Sequence, residues 1–584
     1  MRGNKNRWRG AALSLMIAAL LAITAAAFLD RENTVLGAAG DYNAGDVAVI
    51  NDIIANNGLG WTAAPADGSS VPGNWTGVTW SSASTNKRII YLDLDVKGLT
   101  GGMLNVSGLT ALVWLYCNGN ANLTALDVSG CTQLEILSCQ MNNITALDLS
   151  KNILLEYLNC HDNNITALDL SKNILLDDLD CSYNELASLD VSKNTALKYL
   201  RCSNNELTAL DVPKGAALIW LDCGGNKFTA LDVSENTSLR SLGCYDNDLT
   251  ALDLSKNAAL EWLNCNENKL NALDVSKNTS LVYLDCSYND LDALDVSKNT
   301  SLESLSCHYT RLDALDVSEN TSLVILDCGY NNLSDLDVSK NTSLRDLYCS
   351  HNSLTSLDLS KNTSLEVLNC SYNELTSLDV SKNVLLTALD CSYNELTSLD
   401  VSKNALLNYL RVNYNYIAAE TNVTGATSLL HFPSSGWDKP DFYFSPQYSG
   451  APLAFTNNAG FNVPAGKLGT TVKPITVQGG VSGGTAPYYF YISAGPSWLD
   501  IDEDTGEITG ERPAAEQTAT TAVILVEDSS SPAKTKMIII SVGAVTEEPA
   551  PGGGNTTLIA AIAAIAAVVL LAVVYMFVIR PRRP

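Results

Sequence analysis

Thirteen cysteines fall at residues 139, 160, 181, 202, 223, 244, 265, 286, 307, 328, 349, 370 and 391, each 21 positions after the last. Cys117 stands 22 residues before this series, Val412 continues it, and of the chain's 15 cysteines only Cys131 lies outside. Thiols at such regular spacing could form disulfides or hold metal. Neighbouring strands are about 4.8 Å apart, which suits the Cα separation of a disulfide. In-register parallel strands, however, aim these side chains in parallel and keep their Cβ atoms near that same spacing, not the roughly 3.8 Å a disulfide needs. No C-x-x-C pair occurs, and the four histidines (His161, His308, His351, His431) are scattered through the chain, so no metal-binding set emerges. The reading that remains is a column of small apolar core residues.

A second column consists of fourteen aspartates, from Asp127 to Asp400, again every 21 residues. Stacked carboxylates repel one another and need an offset. Each is followed by a Ser-Lys-Asn turn, whose backbone N–H groups can be accepted as in Asx turns. Lysines three positions on, such as Lys298, add positive charge, although Glu235 and Glu319 interrupt them. A row of Ca²⁺ ions is the sharper alternative. It lacks the dense alternating carboxylates and the glycine that calcium loops use.

Behind both columns is a 21-residue unit, L-x-x-L-x-C-x-x-N-x-L, as in Leu281, Leu284, Cys286, Asn289 and Leu291. A single unit cannot bury its leucine face, so neighbours must stack into a common core. The unit resembles the leucine-rich repeat, with Cys in place of one Leu, over about 16 units from 89 to 417. The resemblance implies a curved solenoid with a parallel β ladder on its concave side and an interior asparagine ladder. Thr310 replaces the asparagine of its unit, so an irregularity is expected there. The run "ALDVSKNT" adds an L-x-V alternation that suits a second extended segment on the outer side.

Before the repeats, "DVAVINDIIANNG" fits a short helix ending at Gly58. Together with "PGNWTGVTWSS" and "RIIYLDLDVKGLTGG" it resembles the N-terminal cap of plant-type extracellular leucine-rich repeat proteins (41–88), without the cap cysteines. Trp75, Val78 and Trp80 must then seal the core end by packing. Residues 418–454 read as a C-terminal cap and connector. From 455 to 545, runs such as "PYYFYIS" and "TTAVILVED" alternate with turns and read as an all-β sandwich. Trp498, Leu499, the turn Asp504–Gly506 and "ITGERP" resemble the immunoglobulin-like or cadherin-like modules of prokaryotic surface proteins. The cadherin-like resemblance raises Ca²⁺ at Asp500, Asp502, Asp504 and Asp528; a solvated turn is the plainer account.

Both ends point to a membrane. Residues 1–40 carry a basic start and an apolar stretch, a signal peptide or signal anchor. A stalk at 546–556 precedes an uncharged apolar stretch, 557–579, long enough for one transmembrane helix. The arginines of the tail 580–584 place that end in the cytoplasm and the rest outside. The formal net charge of -27 excludes nucleic acid as a natural partner.

The positions flanking the second leucine and following the cysteine face outward. On the concave side they carry aromatics interleaved with acids: Trp114, Tyr157, Tyr199, Trp220, Asp222, Trp262, Tyr283, Asp285, Tyr288, Asp327 and Asp390. Two past the cysteine stand Tyr183, Tyr288, Tyr309, Tyr330, Tyr372, Tyr393 and Tyr414. Such surfaces serve protein or glycan recognition. No G-x-S-x-G, H-E-x-x-H or P-loop motif occurs, so no enzyme is expected, nor any cofactor. Fourteen N-x-[ST] sequons, most of them products of repetition, offer glycosylation sites. The expected function is membrane-anchored cell-surface binding. The alternative is a structural, self-assembling component of the cell envelope or surface layer.

Overall fold

The computed structural model describes residues 41–213, 218–426 and 441–444, and beyond these the backbone of ten short strands between 454 and 546. Two compact units divide the chain, one through Lys227 and one from Phe228 on.

The first unit opens with helix α1 (Ala44–Asn57). The Asn43 side chain accepts the Asp46 N–H at 3.0 Å as its N-cap. Gly58, at φ 64°, ends it in the left-handed conformation that glycine adopts freely. Val47, Ile50 and Ile53 are buried on one face, as the apolar spacing predicts. Strand β1 (Val78–Trp80) pairs antiparallel with β2 (Ile89–Asp93). Trp75 seals the core, donating its Nε1–H to Thr62 O at 2.8 Å and stacking on Trp61. Val78 and Trp80 are only half-buried in β1, and Trp80 meets Tyr42 edge-on at 4.7 Å. The cap also hides a charge. Asp46 is fully buried, paired with Arg88 at 2.9 Å and accepting the Ile89 N–H at 2.7 Å.

From β2 on, three-residue strands stack in parallel register through 114–116, 136–138, 157–159, 178–180, 199–201 and 220–222. The second unit repeats this from 241–243 to 409–411, and 441–443 adds a further parallel strand. In nearly every strand the central leucine is buried between two half-buried neighbours. The strands stay short because the chain bends immediately after the cysteine.

The first asparagine of each unit forms the expected interior ladder. Asn289 Nδ2 donates to the Cys265 and Cys286 carbonyls at 3.0 Å, and its Oδ1 accepts Leu270 N–H at 2.9 Å. Thr310 breaks it as expected. Its hydroxyl donates to Cys307 O at 2.6 Å, and the next residue, Arg311, turns to φ 63°.

The outer L-x-V segment keeps its alternating burial, with Leu294 and Val296 inside. Among the described residues it pairs as a ladder at 103–105 with 125–127 and at 399–400 with 423–424, with a bridge between Asp190 and Asp211. The Asx turn that follows is common to paired and unpaired segments alike, as at Asp127 and Asp295.

Beyond the repeats, Tyr488–Ala494 pairs antiparallel with Thr520–Asp528, which pairs with Thr535–Val542. No helix among the described residues is long and apolar enough to cross a membrane. The expected signal segment 1–40 and the span 557–579 lie outside the described residues.

Candidate functional site

The position two past the cysteine is left-handed in turn after turn. In the first unit several of its occupants suit that conformation: Gly119 (φ 67°), Asn204 (54°) and Gly225 (60°). In the second unit, Tyr288, Tyr309, Tyr330, His351, Tyr372, Tyr393 and Tyr414 hold φ between 53° and 60°. A residue with a Cβ pays roughly 1–2 kcal/mol for this conformation. Seven consecutive turns accept that cost, and the rings stack. Successive centroids lie 5.4, 5.2, 3.8, 3.9, 3.9 and 4.1 Å apart, with interplanar angles of 27° or less. The phenol groups of Tyr372, Tyr393 and Tyr414 are hydrogen-bonded in series.

Beside this stack runs a groove of about 500 Å³, spanning six turns from His308 to Asn413. Tyr330, His351, Tyr372 and Tyr393 form one wall. Its floor is mostly polar: Ser350, Ser371 and Ser392 in one column, with Asp327, Tyr348, Asn369 and Asp390 in the next. The carboxylates are tied down. Asp327 accepts Gly329 N–H at 3.1 Å and faces His308 Nδ1 at 3.5 Å. Asp390 accepts Ser392 N–H at 3.1 Å and pairs with Arg411 at 3.6 Å. Burial, with His308 adding repulsion, pushes His351 down to about 4, so its imidazole is neutral in the stack at pH 7.

Of the residues the sequence singled out, Asp327 and Asp390 line this groove and Tyr288 begins the ring stack. Trp262 and Tyr283 occupy adjacent strands outside the groove lining and stack at 5.1 Å, 11°. Asp285 is on the same strand as Tyr283, its carboxyl raised by burial. Trp114, Tyr157, Tyr199 and Trp220 are half-buried at the heads of strands in the first unit. Desolvation pushes Asp222, on the strand of Trp220, up to about 6. Two of the four histidines come together: His351 is a member of the ring column, and His308 meets Tyr288 and Tyr330 at 5.2 and 4.9 Å. The signal was the 21-residue step from Tyr330 to His351, hidden by the change of residue type.

All 15 cysteines are buried and none is in a disulfide. The aspartate column makes the expected turns, Asp295 accepting Ser297 N–H at 2.9 Å, and these bonds hold its carboxyl below the ordinary value. No cluster fit for a metal ion occurs among the described residues. The side chains of Asp500, Asp502, Asp504 and Asp528 lie outside what is described.

The asparagine of the Ser-Lys-Asn turn, a sequon in several units, forms a second interior ladder. Asn278, Asn299, Asn320, Asn341 and Asn362 are fully buried. Asn299 Nδ2 donates to Val275 O and Asn278 O at 3.0 and 2.9 Å, leaving no room for a glycan there in the folded chain.

Residues 342–383 match the family model of leucine-rich repeats (two copies), and residues 452–543 match the model described as "Putative Ig domain". The chain is thus built on a leucine-rich repeat solenoid of about 16 turns, with an immunoglobulin-like match in its C-terminal region. Among solved structures it is similar to the functional domain of InlJ from Listeria monocytogenes, which includes a cysteine ladder. The two share 28% identity over 86% of this chain and 99% of that one, at a TM-score of 0.54. The leucine-rich repeat protein LIC12759 of Leptospira interrogans shares the fold at 24% identity, over 57% of this chain and 91% of that one, with a TM-score of 0.52. No curated protein matches the chain.

Proposed function

We propose that this chain is a membrane-anchored cell-surface binding protein. Its leucine-rich repeats recognise an extracellular ligand on their concave side, and the immunoglobulin-like region is a spacer. The observation that carries the reading is the groove walled by the ring stack. Left-handed backbone at seven aromatic residues is an expense that core packing does not require, since glycine and asparagine serve at the same position in the first unit. The apolar stretch at 557–579 supports the anchor. Expressed on cells, the full chain is expected to bind a ligand on arrays of extracellular proteins and glycans. The double substitution Tyr330→Ala, Tyr372→Ala should remove that binding while surface expression persists. Undiminished binding by this variant would refute the reading.

A further inference from the structure

Resting on that reading, we infer that the groove beside the ring stack binds a linear β-1,4-linked glycan, laid along the solenoid axis with about one sugar ring per turn. Three observations lead there.

The first is the chemistry of the lining. The floor is hydroxyl, amide and carboxylate at Ser350, Ser371, Ser392, Asn369, Asp327 and Asp390, with the phenol of Tyr348 between Asp327 and Asn369. Protein hot spots are apolar pockets that seat an aromatic or aliphatic anchor. This floor has none, and its one arginine, Arg411, is paired with Asp390. Hydroxyls and amides in rows, with the carboxylates Asp327 and Asp390 facing His308 and Arg411, suit a ligand dense in hydroxyls that both donate and accept.

The second is the repeat. In-register strands advance by about 4.8 Å, close to the advance per ring of an extended β-1,4-linked hexopyranose chain. Each turn therefore offers the next ring a pair of side chains from the same two columns, most alike at Asn369 with Ser371 and Asp390 with Ser392. Six turns, from His308 to Asn413, would accept a chain of about six rings. A repeating floor is wasted on an irregular peptide and matched to a repeating polymer.

The third is unmet hydrogen-bonding capacity. Asn413, at the end of the groove, has a buried Oδ1 with no partner. Because the rings cover one another's faces, the wall presents edges and phenol hydroxyls. Recognition is then by hydrogen bonding along the wall, with little ring-on-sugar stacking.

The test is calorimetric titration of the full chain, in a detergent micelle, with cello- and chito-oligosaccharides of increasing length. Affinity should rise several-fold with each added ring and level off at about six, the number of turns in the groove. Asn413→Ala and Ser371→Ala should each weaken the longest ligand about tenfold, with unchanged circular dichroism. Ile174→Ala, at an exposed position of the first unit, should leave it unchanged. Absence of binding, affinity indifferent to length, or full affinity in both groove variants would overturn the inference. If the glycans fail while an array protein binds in a manner sensitive to Tyr330→Ala, Tyr372→Ala, the glycan assignment falls and the surface-binding reading stands.

Discussion

The buried thiols make the solenoid a protein that alkali should unfold steeply. Burial raises thirteen of the fifteen cysteines above the ordinary thiol value of 9.0, as at Cys139, Cys286 and Cys370. A group whose pKa is raised by folding stabilises fully below its unfolded value and loses that contribution as pH climbs toward the folded value. The unfolded state then holds fewer protons, so stability falls with pH. Each such thiol removes about 1.4 kcal/mol per pH unit. Thirteen together remove at most about 18 kcal/mol per pH unit, comparable to the whole stability of a domain. The collapse should begin soon after pH 9 and finish within a unit or two. Far-ultraviolet circular dichroism against pH, read beside thiol release to a chromogenic disulfide reagent, measures it. The two signals should change together, and the thiols should be silent at pH 8. Replacing Cys265, Cys286 and Cys307 by Ala should move the transition to higher pH relative to the stability the variant keeps at pH 7. Native dichroism persisting at pH 12, or ready thiol reaction at pH 8, would refute the buried column.

At position 372 the ring stack and the backbone can be separated. Tyr372→Ala loses two ring contacts of roughly 0.5–1.5 kcal/mol each and keeps the left-handed strain. Tyr372→Gly sheds that strain, so glycine should be the more stable of the two by about 1 kcal/mol in local hydrogen exchange, and the opposite order would contradict the left-handed turn. Arg88→Ala strands the buried Asp46 carboxylate and should destabilise the cap by about 3–5 kcal/mol; exchange at Ile89 that stays as slow as in the wild type would count against the pair. Asn299→Ala unpairs two interior carbonyls and should cost about 2–4 kcal/mol, whereas the same change at half-buried Asn332, whose amide meets Arg311 O and Asp313 at the surface, should move the thermal midpoint far less.

What was readable in the chain is what depends on its period. A cysteine every 21 residues set the length of a turn, and the buried leucines, the interior asparagines and the Asx turns all follow in step with it. What was not readable depends on how columns meet in space. The Asp46–Arg88 pair joins residues 42 apart in sequence, across the helix and the first strand, and no repeat announces it. The second asparagine ladder looks like a run of sequons, because Asn-Thr-Ser reads the same in a loop and in a core. The groove is the instructive case. A left-handed turn is ordinarily signalled by glycine or asparagine, and at the decisive position the second unit writes tyrosine. The alternating pattern places that tyrosine on a surface but cannot show that its neighbours 21 residues away will cover its face. Stacking leaves the ring edges as the wall of a channel and turns the serine and asparagine columns beside it into a floor. Trp114 and Trp220 head strands of the first unit and are not among the residues that line the channel. A surface built by repetition is therefore better searched by column than by residue type, since a substitution such as His351 for Tyr keeps its place in the stack while disappearing from any search for tyrosines.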